Sequence, residues 1–457
     1  MLFNSVAFLI FFLIVHQVYW RIQRDYRKYW LLFASMVFYG YWSWSFLPHF
    51  LLIVLINFAF VRSLLARRNK ALFILSIVLN LTNLIFFKYF NSLLNMFGEW
   101  MGFQQALVLK QELGIILPLA ISFYTFQIIA FAVDVWRGEV KEITLSRYAF
   151  FIMFFPQLIA GPIMRHSDFL HQIDNAELKE GDTPSGLYLL AQGTIKKVLL
   201  ADEIAKLINP VWANPEQYDQ AAVIIAVVGF HAQIYCDFSG YTDMARGLAR
   251  LLGYRIPENF YFPFLSTSFS NLWKRWHVTL STWIRDYLYI PLGGSHCGPT
   301  RHSLNMVISF TLAGIWHGNT YPFLIWGFLN GVFIVAERYL GGAKPSRSPA
   351  ILLFRFLIVT LGSMGAIVFF RGENMQKIYE VFSGMFENRG ESLESWAMVL
   401  QLTAFGWGFQ VLQYYRSKFE HLLLRHWRII LPLLGVILFY MIARIEKPAA
   451  EFIYFQF

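Results

Sequence analysis

Long apolar runs alternate with short polar loops along almost the whole chain. A helix needs about 20 mostly apolar residues to cross a bilayer. Runs of this kind lie at 2–20, 30–47, 50–66, 71–90, 113–135, 185–208, 221–236, 303–319, 322–340, 351–370, 393–414 and 427–446. The pattern predicts an all-α polytopic membrane protein with about 11–12 transmembrane helices. No basic region precedes the first run, so we expect a retained helix rather than a cleaved signal peptide.

Three stretches are too polar or too broken to be simple spans. Residues 148–164 form a short run that ends in Ala-Gly-Pro, which favours a re-entrant segment. Residues 254–302 mix aromatic and basic side chains, which favours an amphipathic segment at the cytoplasmic face. Residues 372–392 are polar and predict a loop or a short surface helix.

Basic residues follow alternate spans in the first half of the chain. They are Arg21, Arg24, Arg27 and Lys28 after the first span, Arg62, Arg67, Arg68 and Lys70 after the third, and Arg137, Lys141 and Arg147 after the fifth. Cytoplasmic loops are enriched in Lys and Arg, so this spacing predicts an N-terminus outside the cytoplasm. The last span has basic residues at both ends, which leaves the side of the C-terminal tail open.

Composition agrees with this membrane interpretation. Hydrophobic residues make up 57% of the chain and charged residues 14%, against about a quarter charged in soluble domains. No hydrophilic stretch is long enough to fold alone, so we expect a single transmembrane domain over 1–457. The formal net charge of +10 lies in short loops, which indicates contact with anionic lipid rather than nucleic acid. The two cysteines, Cys236 and Cys297, are not expected to form a disulfide.

His317 is the most informative polar residue in an apolar segment. It lies in the run LAGIWHGNTYPFLIWG (312–327), and Gly314 and Gly318 beside it would let a neighbouring backbone approach closely. Ionisable residues inside a membrane are costly and usually functional. Because neutral histidine is cheaper to bury than a charge, the residues alone leave catalysis and a structural hydrogen bond both open.

Further polar clusters have two interpretations each. His277 lies in LWKRWHVTLSTWIRDYLYIPLGG (272–294). This segment either carries a functional histidine or is an interfacial helix with Trp and Arg at the level of the lipid headgroups. Asp237 and Asp243, in YCDFSGYTDMARG (235–247), need partners such as Arg246 and serve either an ion pair or a substrate channel. Two further candidates are read as anchors: Asp134 with Arg137 at a helix end, and the tail FIYFQF (452–457) at the interface.

Familiar catalytic signatures are absent from the sequence. It has no GxSxG elbow, HExxH helix, Walker-type phosphate loop or dinucleotide fingerprint. His296, Cys297 and His302 match no standard metal-site spacing, so no metal site is predicted.

Seven segments form an ordered set that covers nearly the whole chain: LLFASMVFYGYW (31–42), LPLAISFYTFQ (117–127), FFPQLIAGPIMR (154–165), YCDFSGYTDMARGL (235–248), LWKRWHVTLSTWIRDYLYIPLGG, GIWHG (314–318) and FIYFQF. In sequence and in order, this set resembles the membrane-bound O-acyltransferase family, in particular its bacterial branch for alginate and peptidoglycan O-acetylation. The resemblance implies helices around a central funnel, with the family's buried histidine at His317 and its second histidine at His277. It also implies that Tyr454, between Phe452 and Phe457, carries an acyl group transiently.

The resemblance leads to a mechanistic hypothesis. A cytoplasmic thioester, acetyl-CoA as donor substrate rather than bound cofactor, would dock near the basic residues of 254–302. His317 would act as base and His277 would polarise the carbonyl or orient the donor. Tyr454 would pass the acyl group to an extracytoplasmic esterase-like transferase or polysaccharide machinery at the bacterial inner membrane. Residues expected to bind the donor or support the site are Asp237, Asp243, Arg275, Trp276, Arg285, Asp286 and Trp316.

Two alternative functions are compatible with the sequence. Transfer of D-alanine or another acyl group from a carrier protein keeps the enzyme class and changes the donor. A transporter or flippase for a lipid-linked sugar would also use buried Asp and His residues, although such proteins usually show inverted repeats or paired broken helices. The acceptor glycan is not indicated by the sequence.

Overall fold

A computed structural model of the chain describes residues 1, 3–101, 115–342, 345–388, 390–415, 426–429, 432 and 435. Most of the predicted last span, 427–446, and the whole tail 448–457 with Tyr454 lie outside the described residues. Regular structure in the described part is helical, and its β pairing is an isolated bridge between Tyr218 and Glu391. The chain divides into two compact units, Met1–Gly186 with Leu248–Pro257, and Leu187–Gly247 with Glu258–Phe457.

The first unit is built mainly from long helices that correspond to the first five predicted spans. Its helices are α1 Val6–Arg21, α2 Arg24–Trp42, α3 Leu47–Ala66, α4 Lys70–Met101, α5 Ile121–Arg137, α6 Leu145–Met153, α7 Phe155–Leu158 and α8 His166–Phe169. The fifth span was predicted to begin at 113, but α5 begins at Ile121. Pro118 and Ala120, which has a φ of 61°, keep the preceding backbone out of the helix.

Polar side chains join helices inside the first unit. Asn57 on α3 and Asn80 on α4 exchange amide hydrogen bonds of 2.6 and 3.1 Å. The predicted re-entrant stretch 148–164 forms the end of α6, all of α7 and the turn after it, almost entirely buried. At its break, the Gln127 amide donates to the Phe151 carbonyl at 2.7 Å. A side chain thus satisfies a backbone group that the broken helix leaves unpaired, as non-helical backbone away from water requires.

The described part of the second unit contains most of the predicted spans from 185–208 to 393–414 and most of the interrupted aromatic segment. Its elements are most of α9 Asp182–Thr194, a π-helical stretch Ile195–Ala201, α10 Asp202–Ala213, most of α11 Gln220–Leu251, α12 Phe269–Trp273, α13 Val278–Ile284, a π-helical stretch Arg285–Tyr289, α14 Pro299–His317, α15 Tyr321–Tyr339, α16 Pro349–Arg371, α17 Met375–Gly384 and α18 Trp396–Tyr414. The segment 254–302 is therefore irregular backbone interrupted by short helices, and 372–392 contains the short helix α17.

Several helices have the length and composition of membrane spans. Among the described residues, those long and apolar enough to cross a membrane are α3, residues 70–94 of α4, α11 and α16, and α1 is a shorter apolar helix. The helices α14 and α15 are also 19 residues long, but they carry polar residues such as Asn305, Asn330 and Glu337. These side chains are buried in the protein rather than exposed to lipid, so low hydropathy here reflects internal polar contacts. The all-α membrane fold is confirmed.

Close packing of α14 against α15 fixes the end of α14. A Cβ on Gly314 would lie 2.9 Å from the Cα of Gly327 and overlap the carbonyl oxygen of Phe323. A Cβ on Gly327 would meet the carbonyl oxygen of Phe310 in the same way. Only glycine allows this approach of two backbones, and it sets the position of the residues that follow Gly314.

Candidate active site

His317 is the last residue of α14. Its neighbour Gly318 leaves the helix in an extended conformation, and the Gly318 N–H still donates to the Gly314 carbonyl at 3.3 Å. The imidazole is buried and surrounded by aromatic rings, with centroids 4.8 Å from Trp316, 5.1 Å from Trp326 and 5.2 Å from Phe370. These edge-on contacts restrict the ring to one orientation, which suits a group that has to meet a reacting atom.

His277 immediately precedes the short helix α13. Its backbone lies in the left-handed region, with φ 43° and ψ 53°, which is uncommon for a non-glycine residue. The side chain is buried and packs edge-on against Phe238, 4.7 Å between ring centroids. Asn259 holds the turn after it, because its side-chain oxygen accepts from the Thr279 N–H at 3.1 Å and from the Thr279 hydroxyl at 2.9 Å. Unusual backbone of this kind clusters at functional sites.

The two histidines line the same cavity in the second unit. Its empty volume, which includes space open to solvent, is about 600 Å³. The lining residues are His231, Ile234, Phe264, Leu272, Trp273, Trp276, His277, Leu280, His317, Trp326, Asn330, Ser363, Ala366, Ile367 and Phe370. Aromatic and aliphatic side chains dominate this wall, so the imidazoles stand in surroundings that disfavour water.

Other predicted site residues have different positions. Trp276 lines the cavity and Trp316 packs on His317. Arg275 lies over the ring of Phe262 at 4.7 Å. Arg285 and Asp286 form a bidentate pair with each other, at 2.6 and 3.0 Å, in the second π-helical stretch. These three charged residues are not among those that line the cavity.

Asp237 and Asp243 belong to a buried network of charges. Lys196 pairs with Asp243 at 2.8 Å, and Lys197 pairs with Asp237 at 2.5 Å and with Asp202 at 2.8 Å. The partner suggested by the sequence, Arg246, is also present, 3.4 Å from Asp243. Both lysines lie in the π-helical stretch Ile195–Ala201. The network lies close to the cavity wall, since Phe238, next to Asp237, packs on His277.

The first unit holds a separate polar cluster. The Nδ1 of His166 lies 2.7 Å from the carboxylate of Asp134, and its Nε2 lies 4.0 Å from Glu139. The hydrogen bond with Asp134 is the main cause of a raised pKa for His166. These three groups resemble a metal-ligand set, but a metal ion would have to break the short Asp134–His166 hydrogen bond. We therefore interpret the cluster as a structural ion pair at the end of α5.

Three residues of the second unit were missed from the sequence. Lys196 and Lys197 lie inside the predicted span 185–208, where a charge is costly and signals a partner. His231 lies inside the predicted span 221–236, three residues before Ile234 of the same cavity wall. The signal in each case was an ionisable residue in an apolar run.

Comparison with known proteins tests the resemblance to the membrane-bound O-acyltransferase family. Residues 139–343 match the model of the MBOAT, membrane-bound O-acyltransferase, family. The chain is 37% identical over 407 residues to the "Probable alginate O-acetylase" of Pseudomonas aeruginosa, covering 84% of this chain and 75% of that protein. It is 32% identical over 439 residues to the peptidoglycan O-acetyltransferase of Helicobacter pylori, covering 86% and 81%.

A more distant relative is the teichoic acid D-alanyltransferase of Bacillus subtilis. That protein is 28% identical over 241 residues, which cover 48% of this chain and 59% of the relative. The family model and the two O-acetylating relatives confirm the predicted family and the predicted enzyme class, and they leave the roles of individual residues untested. Taken with the helical membrane fold, the matches show that the chain belongs to the membrane-bound O-acyltransferase family and is an acyltransferase.

Proposed function

We propose that this enzyme transfers an acetyl group from a cytoplasmic thioester, acetyl-CoA, across the bacterial inner membrane for O-acylation of an extracytoplasmic polysaccharide or cell-wall glycan. The names of the relatives at 37% and 32% identity support an O-acetylating role. The observation that carries the proposal is the shared cavity of His277 and His317. Two buried imidazoles on one apolar wall suit proton transfer and carbonyl activation at neutral pH.

In the proposed reaction His317 is the general base. It removes the proton of an attacking hydroxyl while the oxygen forms a bond to the thioester carbonyl carbon. His277 donates a hydrogen bond to the carbonyl oxygen, where negative charge develops. The C–S bond then breaks, and the proton held by His317 passes to the departing thiolate. The aromatic wall excludes the water that would otherwise hydrolyse the thioester.

We propose Tyr454 as the first acceptor of the acetyl group. A free phenol has a pKa near 10, so the hydroxyl needs a base such as His317 to be nucleophilic at neutral pH. A phenyl ester is reactive enough to pass its acetyl group to the hydroxyl of an extracytoplasmic partner transferase or of the glycan itself. Tyr454 lies outside the described residues, so its sequence position and the family resemblance are the support for this step.

A change of acyl group is the main alternative. The Bacillus subtilis relative is named a teichoic acid D-alanyltransferase, and D-alanine from a carrier protein would use the same two histidines. The lower identity and coverage of that match favour acetyl transfer. The flippase alternative is not favoured, because the chain belongs to an acyltransferase family.

The test is transfer of labelled acetyl from acetyl-CoA by protein reconstituted in liposomes. His317→Ala is expected to lower the rate by about 10²–10⁴-fold, the usual contribution of a general base. His296→Ala removes an exposed histidine of the same unit and serves as the matched control with unchanged rate. Normal transfer by His317→Ala would refute the proposed mechanism.

The carrier step has its own experiment. Mass spectrometry of the C-terminal peptide after a single turnover should find an acetyl adduct on Tyr454, and Tyr454→Phe should abolish both the adduct and glycan acetylation. Unchanged glycan acetylation by Tyr454→Phe would exclude the carrier role while leaving the role of His317 in place.

A further inference from the structure

A third histidine, His231 on α11, lines the cavity with His277 and His317. Its ring stacks on Phe264, with centroids 3.9 Å apart and planes 21° apart. Its Nε2 lies 3.1 Å from the hydroxyl oxygen of Ser363 on α16. The imidazole is buried and held on two sides, so its orientation on the cavity wall is fixed.

The hydrogen bonds of Ser363 determine the tautomer of His231. The Ser363 hydroxyl donates its hydrogen to the Thr360 carbonyl at 2.8 Å, and a carbonyl oxygen cannot donate. Ser363 must therefore accept from His231, which places the proton on Nε2. The Nδ1 atom then carries a lone pair, and within the described residues it is buried with no hydrogen-bond partner. Leaving such an acceptor unpaired is unfavourable, so the site is suited to a ligand that donates a hydrogen bond.

Asn330, another polar side chain of this wall, is already engaged. The amide of Asn330 donates to the Trp326 carbonyl at 2.8 Å and accepts from the indole N–H of Trp273 at 3.2 Å. A sugar would bring several hydroxyls to a wall with few partners for them. A thioester donor with a pantetheine-type arm brings a mostly apolar chain with isolated amide N–H groups. The mostly apolar cavity wall therefore matches a thioester donor better than it matches a sugar.

We propose that Nδ1 of His231 accepts a hydrogen bond from an amide N–H of the donor's pantetheine-type arm, so that His231 is a donor-binding subsite of the cavity. The inference rests on the proposed function, since it needs an acyl thioester as donor. His231 stays outside the bond-making steps, so its loss should weaken donor binding more than it slows the chemical step.

The test uses two small acetyl thioesters as probes. S-acetyl-N-acetylcysteamine keeps one amide N–H, and its N-methylated amide analogue lacks that N–H. The wild-type enzyme should favour the first in kcat/KM by about 3–10-fold, the effect of one neutral hydrogen bond. His231→Phe keeps a ring that can stack on Phe264 but removes the acceptor, so its kcat/KM should be nearly equal for the two probes. With acetyl-CoA, this variant should raise the donor KM and leave the acceptor KM unchanged.

A second variant guards against a folding defect in His231→Phe. Ser363→Ala removes the hydroxyl that selects the tautomer and is expected to reduce the preference for the N–H probe without abolishing transfer. Retention of the full preference by both variants, or a change in the acceptor KM instead, would overturn the assignment. Failure of the proposed function would look different, because wild-type enzyme would then transfer acetyl from neither probe nor acetyl-CoA.

Discussion

Replacing Gly314 with alanine is expected to impair catalysis from a position behind the cavity wall. Gly314 lies three residues before His317 on α14. An added Cβ would overlap the carbonyl oxygen of Phe323 and lie 2.9 Å from the Cα and 3.0 Å from the N of Gly327, whereas ordinary contact begins at 3.4 Å. All of these atoms belong to the backbone of α15, so no side-chain rotation relieves the overlap. The two helices must separate by at least about 0.5 Å in a close-packed interior.

The expected magnitudes differ for stability and for activity. Overpacking costs about 1–3 kcal/mol, and alanine in a helix is about 1 kcal/mol more favourable than glycine, so unfolding free energy should fall by less than about 2 kcal/mol. Activity is more sensitive, because Trp326 on α15 packs directly on the His317 ring. A misplacement of about 1 Å costs about 100-fold in rate. We therefore expect kcat to fall at least about 10-fold.

The measurement is acetyl transfer in liposomes, with thermal unfolding in detergent as the stability assay. Gly365→Ala on α16 is the matched control, because a Cβ at Gly365 meets nothing within 4 Å; it should keep full activity and gain slightly in stability. If Gly314→Ala behaves like Gly365→Ala in both assays, the close contact of α14 and α15 does not position His317.

Three further changes have expected outcomes. Lys197→Met leaves the buried carboxylates of Asp202 and Asp237 without their shared cation. It should lower the free energy of unfolding by about 3–5 kcal/mol, measured by thermal unfolding. The control Lys206→Met, in an exposed pair, should change stability by less than about 1 kcal/mol. Glu337→Ala removes the carboxylate that accepts from the backbone N–H groups of Phe269 and Ser270 at the start of α12; a loss of about 0.5–2 kcal/mol is expected, and unaltered unfolding would contradict the capping role. The pKa of His166 is raised, first by its hydrogen bond to Asp134, so this pair stabilises the fold below pH 6.5 and ceases to do so as the pH rises through the folded-state pKa. The difference in stability between wild type and Asp134→Asn, followed by thermal unfolding against pH, should therefore shrink on the alkaline side. A difference that grows there would contradict this linkage.

Hydropathy located the helices but not all of their ends. The predicted span 221–236 stops just before Asp237, because Asp237 and Asp243 make the sequence polar. The helix α11 nevertheless continues to Leu251. The reason lies in Lys196 and Lys197, about 40 residues earlier in the sequence, whose ammonium groups pair with these two carboxylates. A hydropathy window that contains only local residues places a helix boundary at the aspartates. Their charges are accommodated inside the helix because the distant lysines pair with them.

The sequence identified the two histidines more readily than the cavity that they line. Periodicity assigns residues to helix faces, but His317 is the last residue of α14 and His277 precedes α13 with left-handed backbone. Neither position follows from a helical repeat, since each depends on where the helix breaks. The helix α14 ends at His317 with Gly318 extended, and Asn259 holds the turn after His277. A histidine at the end of a helix has its backbone held by that helix. Its side chain can extend into space that the next helical turn would otherwise fill. His231, in the middle of α11, is held instead by a ring stack and by Ser363, which is consistent with the ligand-binding role proposed for it and with a different role from the proton transfer proposed for His317.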